Sequence, residues 1–474
     1  MVDITGREEE KELLEGCLQS SKSEFVAVYG RRRVGKTFLI REVFNNKFSF
    51  QFTGLANATT RQQLESFNSA LNKIAAGSKK IPQAQSWREA FSQLAVLLEK
   101  KREKRKIIFI DEMPWLDTPK SYFIQGLEHF WNSWASARKD IVLVVCGSAA
   151  SWMLNKLINN HGGLHNRVTQ IIKIESFTLK ETKQFLERKG FAWNNYQLIE
   201  IYSILGGIPF YIESLKKSLG VSQNIDKLFF AKNALLKSEF KNLYASLFRQ
   251  PENYIAVVEA LSKKISGFTR KEILEQTVLP DGGGITKVLT ELEESSFIRK
   301  YLPFNKQLRD SVYQLCDFYS LFYFKFISGI RNNDETFWSN SIDNPKRRAW
   351  SGYAFEQVCL EHVPQIKRRL GISGVATNVS VWRSSKKNSP AQVDLVLERR
   401  DGIIHLFEMK FSTTEFIIDK KYEEVLRNRA AAFRAETKTR SAVYTSMLTT
   451  YGVKNNAYAM SVLQNNLEMD CLFK

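Results

Sequence analysis

The chain lacks several features that would assign its class early. No apolar run is long enough to span a bilayer; the most apolar one, Ile107–Ile110, has the length of a strand, and no membrane partner is expected. The five cysteines, Cys17, Cys146, Cys316, Cys359 and Cys471, form no CxxC pair. An odd, dispersed set suggests reduced thiols in the cytoplasm, not a disulfide framework or a zinc site. The opening Met1-Val2-Asp3-Ile4-Thr5-Gly6-Arg7-Glu8 is polar and acidic, unlike a signal peptide. There is no internal repeat and no low-complexity stretch. Acid is in short supply: 50 Asp and Glu stand against 69 Lys and Arg, a net charge of +19. That excess points to a polyanionic partner such as nucleic acid, or to lysines carried for solubility. The 474 residues, of ordinary globular composition, fit about three domains.

What is present begins with Gly30-Arg31-Arg32-Arg33-Val34-Gly35-Lys36-Thr37, a glycine, four residues, then Gly-Lys-Thr. An apolar strand, Glu24–Tyr29, precedes it and a helix from Phe38 to Phe44 follows, the setting of a phosphate-binding loop. Its backbone N–H groups and the helix N-terminus would hold the polyphosphate of ATP. Lys36 would reach the β- and γ-phosphates, and the Thr37 hydroxyl would bind Mg²⁺. Arg105–Glu112 reads as a strand ending in two carboxylates. Asp111 would hold Mg²⁺ through water, and Glu112 would orient or polarise the attacking water. A third buried strand, Ile141–Gly147, ends at Ser148, placed to sense the γ-phosphate, to position water or to cap a helix. Gly162–Arg167 reads as a loop ending in an arginine. Arg167 could stabilise transition-state charge in cis, act across a subunit interface of a homo-oligomer, or lie idle on the surface.

The phosphate loop, Phe109–Glu112, Gly147-Ser148 and Gly206-Gly207-Ile208-Pro209-Phe210-Tyr211 together resemble an AAA+ ATPase, most closely the archaeal and bacterial branch related to STAND nucleotide switches. The resemblance covers about residues 3–250. It implies that Gly206–Tyr211 opens the last turn of a helical lid, and that Ile4–Glu8 is the segment near the adenine.

Residues 251–316 read as three helices and a hairpin, the order of a winged helix-turn-helix. Its third helix carries Glu291, Glu293 and Glu294 against Lys287 alone. Phosphate would repel that acid, so a structural or protein-contacting wing is as good a reading as a DNA reader. The aromatic run Asp317–Phe326 suits interdomain core better than a base-stacking surface.

In the last third, Glu356 lies on a helix, Asp394 enters a strand, and Glu408 and Lys410 share one face of the next strand. Asp-Gly at 401–402 signals a hairpin joining the two strands. Two carboxylates and a lysine on one face suit Mg²⁺-dependent phosphodiester hydrolysis, with Asp394 and Glu408 as metal ligands. An ordinary hairpin with surface salt bridges remains the alternative. The arrangement resembles the PD-(D/E)xK nuclease core, with Glu356, Asp394, Glu408 and Lys410 in its four positions and Val393 in place of the proline. Mn²⁺ would serve there as well. Lys346-Arg347-Arg348, Lys367-Arg368-Arg369, Lys386-Lys387, Arg399-Arg400 and Lys420-Lys421, with Tyr353 and Trp382 among them, would hold duplex DNA by its backbone.

The expected fold is therefore α/β: a P-loop AAA+ ATPase core at 1–175, a helical lid at 176–250, a winged helix at 251–316, a connector at 317–339 and a PD-(D/E)xK nuclease-like domain at 340–474. The expected function is ATP hydrolysis coupled to a Mg²⁺-dependent DNA endonuclease-like domain. The alternative is a STAND-like switch whose C-terminal domain grips nucleic acid or a partner without cutting.

Overall fold

The computed structural model describes residues 4–75, 80–159, 162–248, 250–329, 334–384 and 391–474. The basic pair Lys386-Lys387 lies outside the described residues. The chain divides between Ser176 and Phe177 into two compact units.

In the first unit, five strands form one parallel sheet. They are β1 (Glu24–Tyr29), β2 (Phe50–Thr53), β3 (Lys106–Asp111), β4 (Ile141–Gly147) and β5 (Gln170–Lys173), in the order β2-β3-β4-β1-β5. The central strands β1, β3 and β4 are buried at every position, which is why they read as unbroken apolar runs. The edge strands β2 and β5 bury only some of their residues. Over one face, the Thr60–Ile74, Trp87–Glu99 and Phe123–Phe130 helices pack a core containing Phe67, Trp87, Phe91 and Phe123. Trp87 and Phe123 meet edge-on at 5.0 Å; such pairs add about 1 kcal/mol beyond their buried area.

The second unit begins with helices whose starts are written in the sequence. Thr178 with Glu181 and Asn194 with Gln197 form capping boxes for the Leu179–Arg188 and Asn195–Leu205 helices. Gly206 ends the latter with φ 65°, and a Cβ on Gly207 would collide with the Phe177 carbonyl. Pro209 then opens the Pro209–Glu213 helix.

The Pro251–Ser262, Arg270–Gln276 and Gly283–Glu294 helices follow, with a small antiparallel sheet. Its strands β6 (Phe268–Thr269), β7 (Ile298–Tyr301) and β8 (Val312–Leu315) lie in the order β6-β8-β7. The 317–339 segment is no exposed connector over its aromatic run: Phe318, Tyr319, Phe322 and Phe326 are buried.

After the Pro345–Glu361 helix comes a mixed sheet, with strands β9 (Thr377–Arg383), β10 (Gln392–Arg399), β11 (Ile403–Lys410), β12 (Ala442–Thr449) and β13 (Asn465–Glu468). The order is β13-β12-β11-β10-β9. β9, β10 and β11 are antiparallel, whereas β12 and β13 run parallel to β11, and the Lys420–Thr437 helix links β11 to β12. The Asn195–Leu205 helix reaches this region: Tyr196 stacks on Phe411, the residue after Lys410, at 4.8 Å.

Candidate functional site

The strand order of the first unit assembles the first site. β4 lies between β1 and β3, so Ser148 stands between the loop that follows β1 and the carboxylates that end β3. The loop holds Arg33 and Gly35 at positive φ, 72° and 91°, and Gly35 precedes the first turn of the Lys36–Val43 helix. Lys36 is buried, and its Nζ donates to Gly30 O at 3.0 Å, Arg31 O at 2.8 Å and Ser148 Oγ at 3.0 Å. Ser148 Oγ in turn donates to Glu112 Oε1 at 3.0 Å. Thr37 Oγ1 donates to Asp111 Oδ2 at 2.8 Å. Hydroxyl and carboxylate thus face one another, a donor set of the kind Mg²⁺ takes. Arg7, in the opening segment, is buried and donates to the Glu175 carbonyl.

Arg167 is placed elsewhere. It lies exposed on a turn just ahead of β5, where Thr169 N donates to Phe25 O at 2.8 Å. Phe25 is near the start of β1 and the phosphate loop follows its end, so roughly 13 Å of strand separates them. Arg167 cannot serve its own phosphate loop, and the cis reading is set aside.

The second site gathers residues from three elements. Glu356 comes from the Pro345–Glu361 helix, Asp394 from β10, and Glu408 and Lys410 from β11. The pairing of β10 with β9 shifts register between Val393 and Val396, a bulge that spans Asp394. Bulges of this kind re-aim a side chain. Lys410 Nζ lies 2.8 Å from Glu408 Oε1. Burial, then Asp394 and Glu408 against the opposing charge of Lys410, pushes the Glu356 carboxyl up to about 8. Burial also raises Asp394, whose Oδ1 accepts from Gln392. Burial works against ionisation of Glu408 too, yet Arg429, Lys410 and Tyr422 together hold its carboxyl below the usual range.

Two of these partners were missed in the sequence. Tyr422 and Arg429 lie on the Lys420–Thr437 helix, seven residues apart and so on one face. Tyr422 donates its hydroxyl to Glu408 Oε1 at 2.7 Å, and Arg429 pairs with Glu408 Oε2. The signal was their spacing. Among the described residues no group of three His, Cys, Asp or Glu side chains is disposed to hold a metal ion unaided.

Several proposed phosphate contacts are corrected. Arg347 is buried, donates to Trp338 O at 2.8 Å and lies over the Trp338 ring. Trp382 is 4% exposed and packs on Phe433, so it offers no stacking face. Arg399 is tied to Asp401. Arg368, Arg369, Arg400, Lys420 and Lys421 are exposed. In the middle segment, Glu291 accepts from Tyr254 and lies 3.9 Å from Lys287.

Residues 4–215 match the model of a family described as an ATPase domain predominantly from Archaea. A curated relative, an uncharacterized protein of Methanocaldococcus jannaschii, is 26% identical over 366 residues, which is 76% of this chain and 77% of that protein. Among solved structures, a Walker-type ATPase of Pyrococcus abyssi is similar with a TM-score of 0.49 at 17% identity, over 68% of this chain and 96% of that one. The Aeropyrum pernix ORC2 protein gives a TM-score of 0.40 at 12% identity, over 68% and 93%. The family match spans the first unit from residue 4, with its parallel α/β sheet, and runs on into the start of the second unit.

Proposed function

With an archaeal-type ATPase domain over residues 4–215 as the premise, we propose that this chain hydrolyses ATP and couples its nucleotide state to a Mg²⁺-dependent DNA endonuclease-like domain at its C-terminal end. In the first site Lys36 would exchange the carbonyls of Gly30 and Arg31 for the β- and γ-phosphates. Thr37 and Asp111 would hold Mg²⁺, which supplies charge neutralisation on the phosphates when bound. Glu112 polarises the attacking water, and Ser148, bonded to both Lys36 and Glu112, keeps the two in register. Arg167, remote from its own phosphate loop, suits a trans role in a homo-oligomer.

In the second site Asp394 and Glu408 would hold Mg²⁺ or Mn²⁺, whose chemistry there is to activate water and stabilise the leaving oxygen. Lys410 orients the water and neutralises charge on the scissile phosphate. Glu356, whose carboxyl burial raises, stands beside Asp394 where it could carry a proton at its carboxyl oxygen. Exposed arginines and lysines of the same domain would contact the duplex backbone without reading sequence. The helices and small sheet of 251–316 follow the order of a winged helix, in a protein-contacting role.

The observation that carries the nuclease reading is that Glu356 and Asp394 line one cleft while Glu408, on the strand paired with that of Asp394, is bridged by Lys410. The test is supercoiled plasmid with Mg²⁺ or Mn²⁺. Wild type should nick it, and Asp394→Ala from a parallel preparation should not. The second reading, a domain that grips without cutting, is favoured by one fact: both oxygens of Glu408 are already engaged, by Lys410, Tyr422 and Arg429. It predicts a gel shift without nicking from wild type.

A further inference from the structure

The β7–β8 hairpin of the middle segment does not stand free. Phe304, in the turn after β7, is buried in the core of the C-terminal domain with Trp382, Val393, Val396 and Phe433. Its backbone N donates to Val381 O of β9 at 2.9 Å, and its ring meets Phe433 at 5.0 Å. Beside this anchor, Ser266 O accepts two hydrogen bonds, from Tyr301 of β7 at 2.6 Å and from Arg383 of β9 at 2.9 Å. Between the two surfaces is a cleft of about 20 Å³. Tyr301 and Ser266 line one side, and Glu356, Gln357 and Asp394 the other. That volume holds about one water molecule and no nucleotide. Gln357 is 1% exposed, and its Oε1 has no hydrogen-bond partner. A buried acceptor at a cleft of one-water volume is where such a water would bind.

We propose that the β7–β8 hairpin is a cover over the carboxylate site, and that a nucleic-acid strand reaches Glu356 and Asp394 only after the hairpin leaves β9. Its regulatory meaning rests on the nuclease reading; its geometry does not. Phe304 in the Trp382–Phe433 core and the hydrogen bonds of Phe304 N to Val381 O and of Arg383 to Ser266 O fasten the hairpin to β9, and single substitutions can remove each. It also gives the middle segment an intramolecular partner, in keeping with a third helix whose Glu291, Glu293 and Glu294 phosphate would repel.

The test separates cover from catalysis. All five native cysteines are buried, so an introduced thiol at the site can be followed alone. In the full chain carrying Asp394→Cys, a bulky maleimide should react slowly. Adding Tyr301→Ala or Phe304→Ala should speed labelling about tenfold or more, because the protecting contact is lost. With Asp394 intact, the same two substitutions should raise plasmid nicking in Mg²⁺ or Mn²⁺. Labelling at one rate with and without Tyr301→Ala would overturn the proposal, whatever the nicking. Faster labelling with no nicking from any variant would keep the cover and remove the nuclease reading. Should Phe304→Ala unfold the domain, the native thiols will react in the protein without Asp394→Cys, and the milder Tyr301→Ala decides.

Discussion

The two candidate sites are opposite in charge logic. In the first, a buried cation, Lys36, makes its hydrogen bonds to neutral oxygens: two loop carbonyls and the Ser148 hydroxyl. In the second, the Glu356 carboxyl is raised by burial and by the charges of Asp394 and Glu408, and Glu408 itself is held by two cations and a phenol. A buried cation that bonds only to uncharged acceptors is prepared for an anion, whereas the cations around Glu408 already neutralise it. The difference extends to how each is built. Three neighbouring parallel strands deliver the first site at one sheet edge. The second depends on a helix, a bulged strand and a hairpin partner, so its geometry is more easily disturbed.

That contrast can be broken most forcefully at Lys36. Lys36→Ala should weaken ATP binding by about a hundredfold or more, since the partner charge of the phosphates is removed; isothermal titration measures it, and unchanged affinity would mean the loop is not the site. Next in size, Glu112→Gln should leave ATP affinity near wild type but slow hydrolysis by about a hundredfold or more, because an amide cannot polarise water. A phosphate-release assay gives the rate, and a wild-type rate would take Glu112 out of the chemistry.

A separate effect, on stability and not on activity, concerns the scaffold that carries the second site. Burial pushes the His362 imidazole down to about 4. Its Nε2 accepts from Leu179 N at 3.0 Å, and its Nδ1 is 2.8 Å from Val358 O. Between pH 4 and the ordinary value near 6.5, the unfolded chain binds the extra proton and the folded chain does not. Stability therefore rises with pH across that window and is lost as pH falls through it, by roughly 3 kcal/mol at the acid end. Urea unfolding at several pH values should show this slope, less steep in His362→Gln. The same slope in both proteins would mean other groups carry it.

Legibility followed how local each feature is. The phosphate loop and the Asp111-Glu112 pair could be read because each is contiguous and sits at a strand end. The link from Lys36 through Ser148 to Glu112 could not, because it depends on β4 lying between β1 and β3. Arg167 shows the same limit: only the direction of β5 reveals that it sits at the far end of β1. In the C-terminal domain, Glu408 and Lys410 follow from strand periodicity, and Asp394 from the strand paired with theirs. Arg429 and Tyr422 escaped because their partner lies on another element. Trp382 and Arg347 misled, since a tryptophan or arginine among basic residues looks the same in sequence whether it faces solvent or core.

The most direct test assays both sites on the same preparations of wild type, Lys36→Ala and Asp394→Ala. ATP hydrolysis and metal-dependent plasmid cleavage are measured side by side. The account predicts that Asp394→Ala loses cleavage by about a hundredfold or more yet hydrolyses ATP within about twofold of wild type, as expected for removal of a proposed metal ligand that belongs to the other unit of the chain. Lys36→Ala should lose hydrolysis and show altered cleavage, through loss of nucleotide control. Equal cleavage by wild type and Asp394→Ala would contradict the account and remove the nuclease from it.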